Sequence, residues 1–327
     1  MLYARALEAC LFIQQQIINK EGRLLRPIVV QDFPRLQKIL LTSATIYGMD
    51  PSTSMESTTA YFQALELMIS PHGAHANGVH YTTRDLILAS FVASYLLSAP
   101  PGGMLPSVIV ESLSLTNGVS ASSLIDTHFN PLDAVRASGD HILDAILKLG
   151  GNTLPFMLLL PEQVARIPSV LFPSTSGVLP ALCTTTNAQG QVQLPSESRR
   201  QESNLMTGSI LLALAKRFQD LQSTEISLPG FGGTLNVNHS LAMMFYYLAL
   251  ALLPSPSTYN NMGIILSMMS TSSTNMNARG GPMVLTSSRL AQIYYAAGLQ
   301  MDPNHPHLLT NLGSLYKDQG NLEEAVK

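Results

Sequence analysis

Apolar residues recur along this chain at helical spacing. In Leu2–Ile18, Leu7, Cys10, Leu11 and Gln14 fall on one face. Phe33–Tyr47 predicts a second helix, with Asp32 placed to cap its start and Gly48 to stop it. Ser57–Ile69 carries Tyr61, Ala64, Leu65 and Met68 on one side. Asp85–Leu97 is apolar nearly all round, so neighbours must cover it on several faces. Asn130 before Pro131 forms a cap-plus-first-position pair that opens Pro131–Ala137. Asp140–Leu149 ends at Gly150-Gly151, a C-terminal signal. No stretch alternates apolar and polar residues for long enough to predict a sheet.

The character changes at 168–203, IPSVLFPSTSGVLPALCTTTNAQGQVQLPSESRRQES with its first residue at 167. It is rich in Pro, Ser, Thr and Gln and mostly lacks helical periodicity, so it reads as a connector, partly disordered.

From 204 to 327 a repeat emerges. At its end, PHLLTNLGSLYKDQGNLEEAVK places Leu309, Leu312, Gly313 and Tyr316 on one helix. Gly320 closes that helix, and Leu322 and Ala325 begin another. This follows the tetratricopeptide (TPR) pattern, with Leu309 in the Trp slot. RLAQIYYAAGLQMDP supplies the preceding second helix, with Ala291, Tyr295 and Pro303 in their slots. LAMMFYYLALALLP supplies an earlier one, with Ala242, Tyr246, Ala249 and Pro254. Gly263 matches Gly313 on the first helix of its unit, and MTGSILLALAKRF puts Gly208 in that slot.

Spacing tests the alignment. Ala242 to Gly263 is 21 residues, Ala291 to Gly313 is 22, and Gly313 to Ala325 is 12, close to the 22 plus 12 expected of a repeat of about 34. Gly208 to Ala242 and Gly263 to Ala291 are longer, at 34 and 28, which implies insertions of 22 and 16 residues inside two units. Both fall in loop-like sequence, QSTEISLPGFGGTLNVNHS and STSSTNMNARGGPMVLTSS, where extra length costs little stability.

The small residues Gly263, Gly313, Ala242, Ala291 and Ala325 let paired helices approach, and Tyr246, Tyr295 and Tyr316 fill the space between them. A single pair cannot hide its apolar face, so pairs stack. The fold class that follows is all-α, an α-α superhelix of TPR type, with 1–167 as a less regular, degenerate TPR-like helical region. The sequence stops two residues after Ala325 with its last helix barely begun, so the reading is of a fragment, truncated within a repeat.

Composition narrows the function. Apolar residues are 46%, charged residues only 12%, and the formal net charge is −3 with no long basic run, which argues against nucleic-acid binding. Cys10 and Cys183 are the only cysteines, too few for a disulfide framework or a metal-type spacing. Arg5 and Glu8 interrupt any signal-peptide core. The longest apolar runs, Leu86–Leu97 and Leu241–Leu253, fall short of the about 20 residues of a membrane span. The expectation is a soluble chain, cytoplasmic and/or nuclear, with no membrane partner. His72, His75 and His80 cluster without a suitable acidic or thiol partner, so no metal site is read there. GFGG at 230–233 and RGG at 279–281 lack the context of phosphate loops. His305 and His307 read as turn residues, and no catalytic residues are assigned.

LALALLPSPSTYNNMG and GLQMDPNHPHLLTNLGSLYKDQGNLEEAV resemble the TPR region of fungal protein O-GlcNAc transferase-like proteins (glycosyltransferase family 41). IYGMDPSTSMESTTAYFQALELMISPHGAHA and GDHILDAILKLGGN resemble their N-terminal extension. That family transfers GlcNAc from UDP-GlcNAc to Ser and Thr of proteins through a catalytic half C-terminal to the repeats. Nothing in this chain matches that half, so no cofactor is expected here and UDP-GlcNAc would bind the missing part. The resemblance implies a substrate-selecting arm that holds extended polypeptides, with Asn261 and Asn311 lining the inner groove, and self-association through the repeats. A carboxamide can pair with both N–H and C=O of a peptide. The alternative is a stand-alone TPR adaptor.

Overall fold

A computed structural model describes residues 2–19, 23–26, 28–72, 79–98, 105–117, 129–185, 192–221, 224–231, 234–237, 239–269, 272–276 and 282–326. The fold is helical. The N-terminal half holds α1 (Leu2–Ile17), α2 (Phe33–Tyr47), α3 (Ser54–Ile69), α4 (Thr83–Ser98), α5 (Ser107–Asn117), α6 (Pro131–Ser138) and α7 (Asp140–Leu149), followed by the short α8 (Pro161–Val164) and α9 (Ile167–Leu171). Then come α10 (Glu197–Asp220), α11 (His239–Leu252), α12 (Pro256–Ser267), α13 (Ser287–Met301), α14 (Pro306–Asp318) and α15 (Leu322–Ala325).

Local chemistry accounts for most helix ends. The Asn130 carboxamide accepts from the Leu132 N–H at 3.1 Å, and Pro131 occupies the first turn, where its missing donor costs nothing. The Gly150 N–H closes α7 on the Ile146 and Leu147 carbonyls, and Gly151 follows at φ 64°. Asp32 behaves differently from the cap expected of it. It ends a 3₁₀ turn (Val30–Asp32), makes no side-chain cap bond, and pairs instead with Arg35 at 3.1 Å.

Two helices form the centre. Every residue of α4 from Asp85 to Ser94 is buried, as is every residue of α11 from Ser240 to Leu250. The two pack on each other, and α11 also meets α8, α9, α10 and α12. Helices buried all round in this way need no amphipathic stripe. The pairs α2–α3, α10–α11 and α12–α13 are each tightly packed, α2 and α3 both lean on α10, α11 packs on α12, and α14 lies against both α12 and α13. Helix pairs nested side by side make the α-α stack of a TPR-type solenoid.

Two expectations are corrected. First, 168–185 is packed rather than loose. Short 3₁₀ turns at Pro173–Thr175 and Pro180–Leu182 bend the chain so that Leu171, Phe172, Val178, Leu179, Ala181 and Leu182 are all buried. Proline-set turns bury apolar residues without any helical period, which is why the pattern hides it. Helix α10 also begins at Glu197, inside the stretch read as connector.

Second, strands occur where none was read. Three antiparallel hairpins pair β1 (Thr184–Thr185) with β2 (Val192–Gln193), β3 (Thr224–Ser227) with β4 (Thr234–Val237), and β5 (Ser272–Met276) with β6 (Pro282–Thr286). The last two lie in the sequences taken as loop insertions. Strands of five residues or fewer alternate too briefly to be read. They are anchored by burial of Leu228, Phe231, Leu235 and Leu285. Arg84 adds to the hold, its guanidinium 5.9 Å above the Phe231 ring and paired with Asp140 at 2.5 Å.

Candidate polypeptide-binding face

Each repeat unit keeps its helices close through missing side chains. A Cβ built on Gly263 in α12 would lie 2.2 Å from Cε1 of Tyr295 in α13. Ala242 and Ala291 are fully buried on the second helices, and Tyr246 and Tyr295 are buried beside them. Burial pushes both phenols up to about 12, so they stay neutral. Gly313 faces the last helix more loosely, since a Cβ built there would lie 3.2 Å from the Ala325 carbonyl oxygen, and Tyr316 and Ala325 are half-buried.

Tyr246 does not sit over Gly208. The Gly208 α-carbon instead lies against Leu253, and the Tyr246 hydroxyl donates to Gln219 at 2.7 Å. The reason is helix length. Helix α10 runs on from 208 to 220, whereas α12 runs only from 263 to 267, so part of the first insertion is helix. The connections from α10 to α11 (221–238) and from α12 to α13 (268–286) are nearly equal.

Helices α12 and α14 stand side by side, and an amide contact joins them: Asn311 Nδ2 donates to Asn260 Oδ1 at 2.8 Å. Asn311 is thus engaged with the neighbouring helix rather than free. Asn261 is half-buried on the outward stripe of α12 with Ser257, Ile264 and Met268, and its carboxamide bonds no other described residue. Helix α12 carries no charged side chain. Half-exposed apolar groups also stand on the first helices, Leu205 on α10 and Leu309 on α14, with Met268 on the residue that ends α12.

The second helices face the chain itself. Residues 154–160 form neither helix nor strand and are held by hydroxyls from α11 and α13. Ser240 Oγ donates to the Leu154 carbonyl at 2.9 Å. Tyr247 Oη donates to the Met157 carbonyl at 2.8 Å and accepts from the Leu159 N–H at 3.0 Å. Tyr294 Oη donates to the Leu159 carbonyl at 2.8 Å. Sequence reasoning missed these groups. The available signal was the tyrosine tips at Tyr247 and Tyr294 in apolar helices, since a buried phenol needs a partner.

His72 stacks on Phe33 with ring centroids 4.4 Å apart, whereas His80 lies 3.7 Å from Glu66. His75 and residues 279–281 lie outside the described residues. Among the described residues no three His, Cys, Asp or Glu side chains are grouped to hold a metal ion, and no helix is long and apolar enough to cross a membrane. His305 caps α14, its Nδ1 accepting from the Leu308 N–H at 3.4 Å.

A search of curated proteins finds no match to this chain. Residues 294–327 match the family model described as tetratricopeptide repeat, so the end of α13 with α14 and α15 forms a TPR repeat and the chain is a TPR-containing protein.

Proposed function

We propose that this chain is a polypeptide-binding module whose working surface is the outward side of α10, α12 and α14, with 204–327 as the binding unit and 1–167 as its helical support. TPR repeats mediate protein–protein interaction, which sets the class of partner. The observation that carries the reading is Asn261. Its carboxamide pairs with no other described residue on a helix without charged side chains, where it can offer a donor and an acceptor to an extended backbone. The side chain of Asn311 supports the same row while tied to Asn260. The second helices are already covered by residues 154–160, which leaves the first helices to a partner.

The finer reading is that this module is the substrate-selecting arm of a protein O-GlcNAc transferase-like protein. Its support is the sequence resemblance of the repeats and of the N-terminal segments. What favours a stand-alone adaptor instead is that the family model matched over residues 294–327 describes an interaction repeat. The two readings part on activity: a transferase-like protein requires that the full-length gene product move GlcNAc from UDP-GlcNAc to a peptide, and an adaptor does not.

The binding test is fluorescence anisotropy with an extended, uncharged Ser/Thr-rich peptide. Asn261→Ala is expected to weaken binding by about tenfold, the worth of one or two hydrogen bonds. Unchanged affinity in a folded Asn261→Ala protein removes this surface from consideration.

A further inference from the structure

Away from the repeat face, a cavity of about 160 Å³ opens in the N-terminal half, where the end of α3, the start of α6 and the turns after α9 meet. Its walls include Leu132, Phe172, Cys183 and His72, with Thr184 and Val192 towards the β1–β2 hairpin. A cavity of roughly 150 Å³ lined by apolar groups accepts one benzene-sized ring.

The polar atoms around it decide what kind of ring. No Lys or Arg lines the cavity among the described residues, so nothing there neutralises an anion. The Asp133 carboxylate accepts from Tyr81 Oη at 2.6 Å and Asn130 Nδ2 at 2.7 Å behind the wall and does not itself line the cavity, so it makes no direct ion pair with a bound cation. His72 Nε2 lies 2.7 Å from the Leu67 carbonyl oxygen. A carbonyl can only accept, so Nε2 carries the ring proton and Nδ1 is left as an acceptor. The bond to Leu67 sets which way the imidazole is flipped, and its stack on Phe33 holds the ring plane. Cys183 brings a thiol that does not compete as a charge.

We propose that this cavity is a binding site for a small neutral aromatic molecule bearing one hydrogen-bond donor, of the phenol or indole type, with His72 Nδ1 as the acceptor and Leu132 and Phe172 as the apolar walls. The site is separate from the peptide-binding face and does not depend on it.

The test is an NMR titration of the whole chain with phenol, benzene and benzoate, paired with mass-spectrometric thiol labelling. Phenol is expected to bind saturably, about tenfold more tightly than benzene, the worth of one hydrogen bond, and benzoate not to bind. Bound phenol is expected to slow labelling of Cys183 and to leave Cys10 unaffected. His72→Phe keeps the stack on Phe33 and removes the acceptor, so it is expected to bring phenol and benzene to equal affinity. Val192→Trp, at the half-exposed rim, is expected to abolish both and stands in if the first variant fails to fold. No saturable phenol binding, equal binding of benzoate, unaltered Cys183 labelling, or a phenol preference that survives His72→Phe would overturn the proposal.

Discussion

The Tyr295 ring lies directly over the α-carbon of Gly263. A methyl group there would come within 2.2 Å of Cε1 and 2.5 Å of Cδ1 and Cζ. Tyr295 is 1% exposed and cannot swing aside. Gly263→Ala should therefore destabilise the chain, with overpacking of about 1–3 kcal/mol only partly offset by the up to about 1 kcal/mol that Ala gains over Gly in a helix. Urea unfolding measures the loss. Adding Tyr295→Leu should recover part of it, and strict additivity of the two changes would show that the contact is not the cause.

Gly313 makes the opposite case. The nearest heavy atom to an added methyl is the Ala325 carbonyl oxygen at 3.2 Å, on a four-residue helix at the edge of the stack. A small shift of that helix relieves the contact. Gly313→Ala should be neutral or stabilising by up to about 0.5–1 kcal/mol through helix propensity. A loss above that size in the same urea assay would mean that α14 and α15 are held more rigidly than their exposure suggests.

Tyr247 and Tyr294 each bond the 154–160 segment through the hydroxyl group. Tyr247→Phe strands two buried backbone groups, the Met157 carbonyl and the Leu159 N–H, whereas Tyr294→Phe strands only the Leu159 carbonyl. Each unsatisfied group costs about 1–3 kcal/mol, so Tyr247→Phe should destabilise more. Hydrogen exchange at the Leu159 amide should accelerate in Tyr247→Phe and much less in Tyr294→Phe. An order reversed between the two would contradict the bonding pattern.

Stability should fall on mild acidification. Burial holds both His72 and His239 below their ordinary value of 6.5. In the unfolded chain each takes up a proton near 6.5, while the folded chain resists until a lower pH. The unfolded state then binds more protons, so stability is full above 6.5 and is lost as pH falls through the window beneath it. The urea midpoint at pH 5.5 should lie below that at pH 7.5, and His239→Gln should shrink the difference. A midpoint independent of pH over this range would rule out both histidines as its source.

Much of the helical layout was legible along the chain because it rests on local rules. The run Asp140–Leu149 has strong amphipathic spacing and a glycine stop, and it forms that helix. Asn130 and Pro131 announce α6 by the same logic. Where Pro and Ser/Thr dominate, period fails as a guide: Leu171, Phe172 and 178–183 are buried although they repeat nothing, and the hairpins around Phe231 and Leu285 are too short to alternate visibly. The candidate binding face was legible only as a pair of slots. Asn261 and Asn311 share a position in the repeat, yet among the described residues one carboxamide has no partner and the other is bonded to Asn260. That difference depends on how α14 seats against α12, which no slot encodes.

Taken alone, the order of residues determined the helical class and the tetratricopeptide spacing at the C-terminal end, since turn period, caps and small-residue positions act within a few residues of one another. Only the tertiary structure decided which side of the stack is closed. Tyr247 and Tyr294 reach carbonyls 90 and 135 residues away. Arg84 crosses to a turn at Phe231, and His72 is aligned by Phe33. Contacts of that range follow from how whole helices pack, and burial then forces each polar tip to find whatever partner the packing brings within reach.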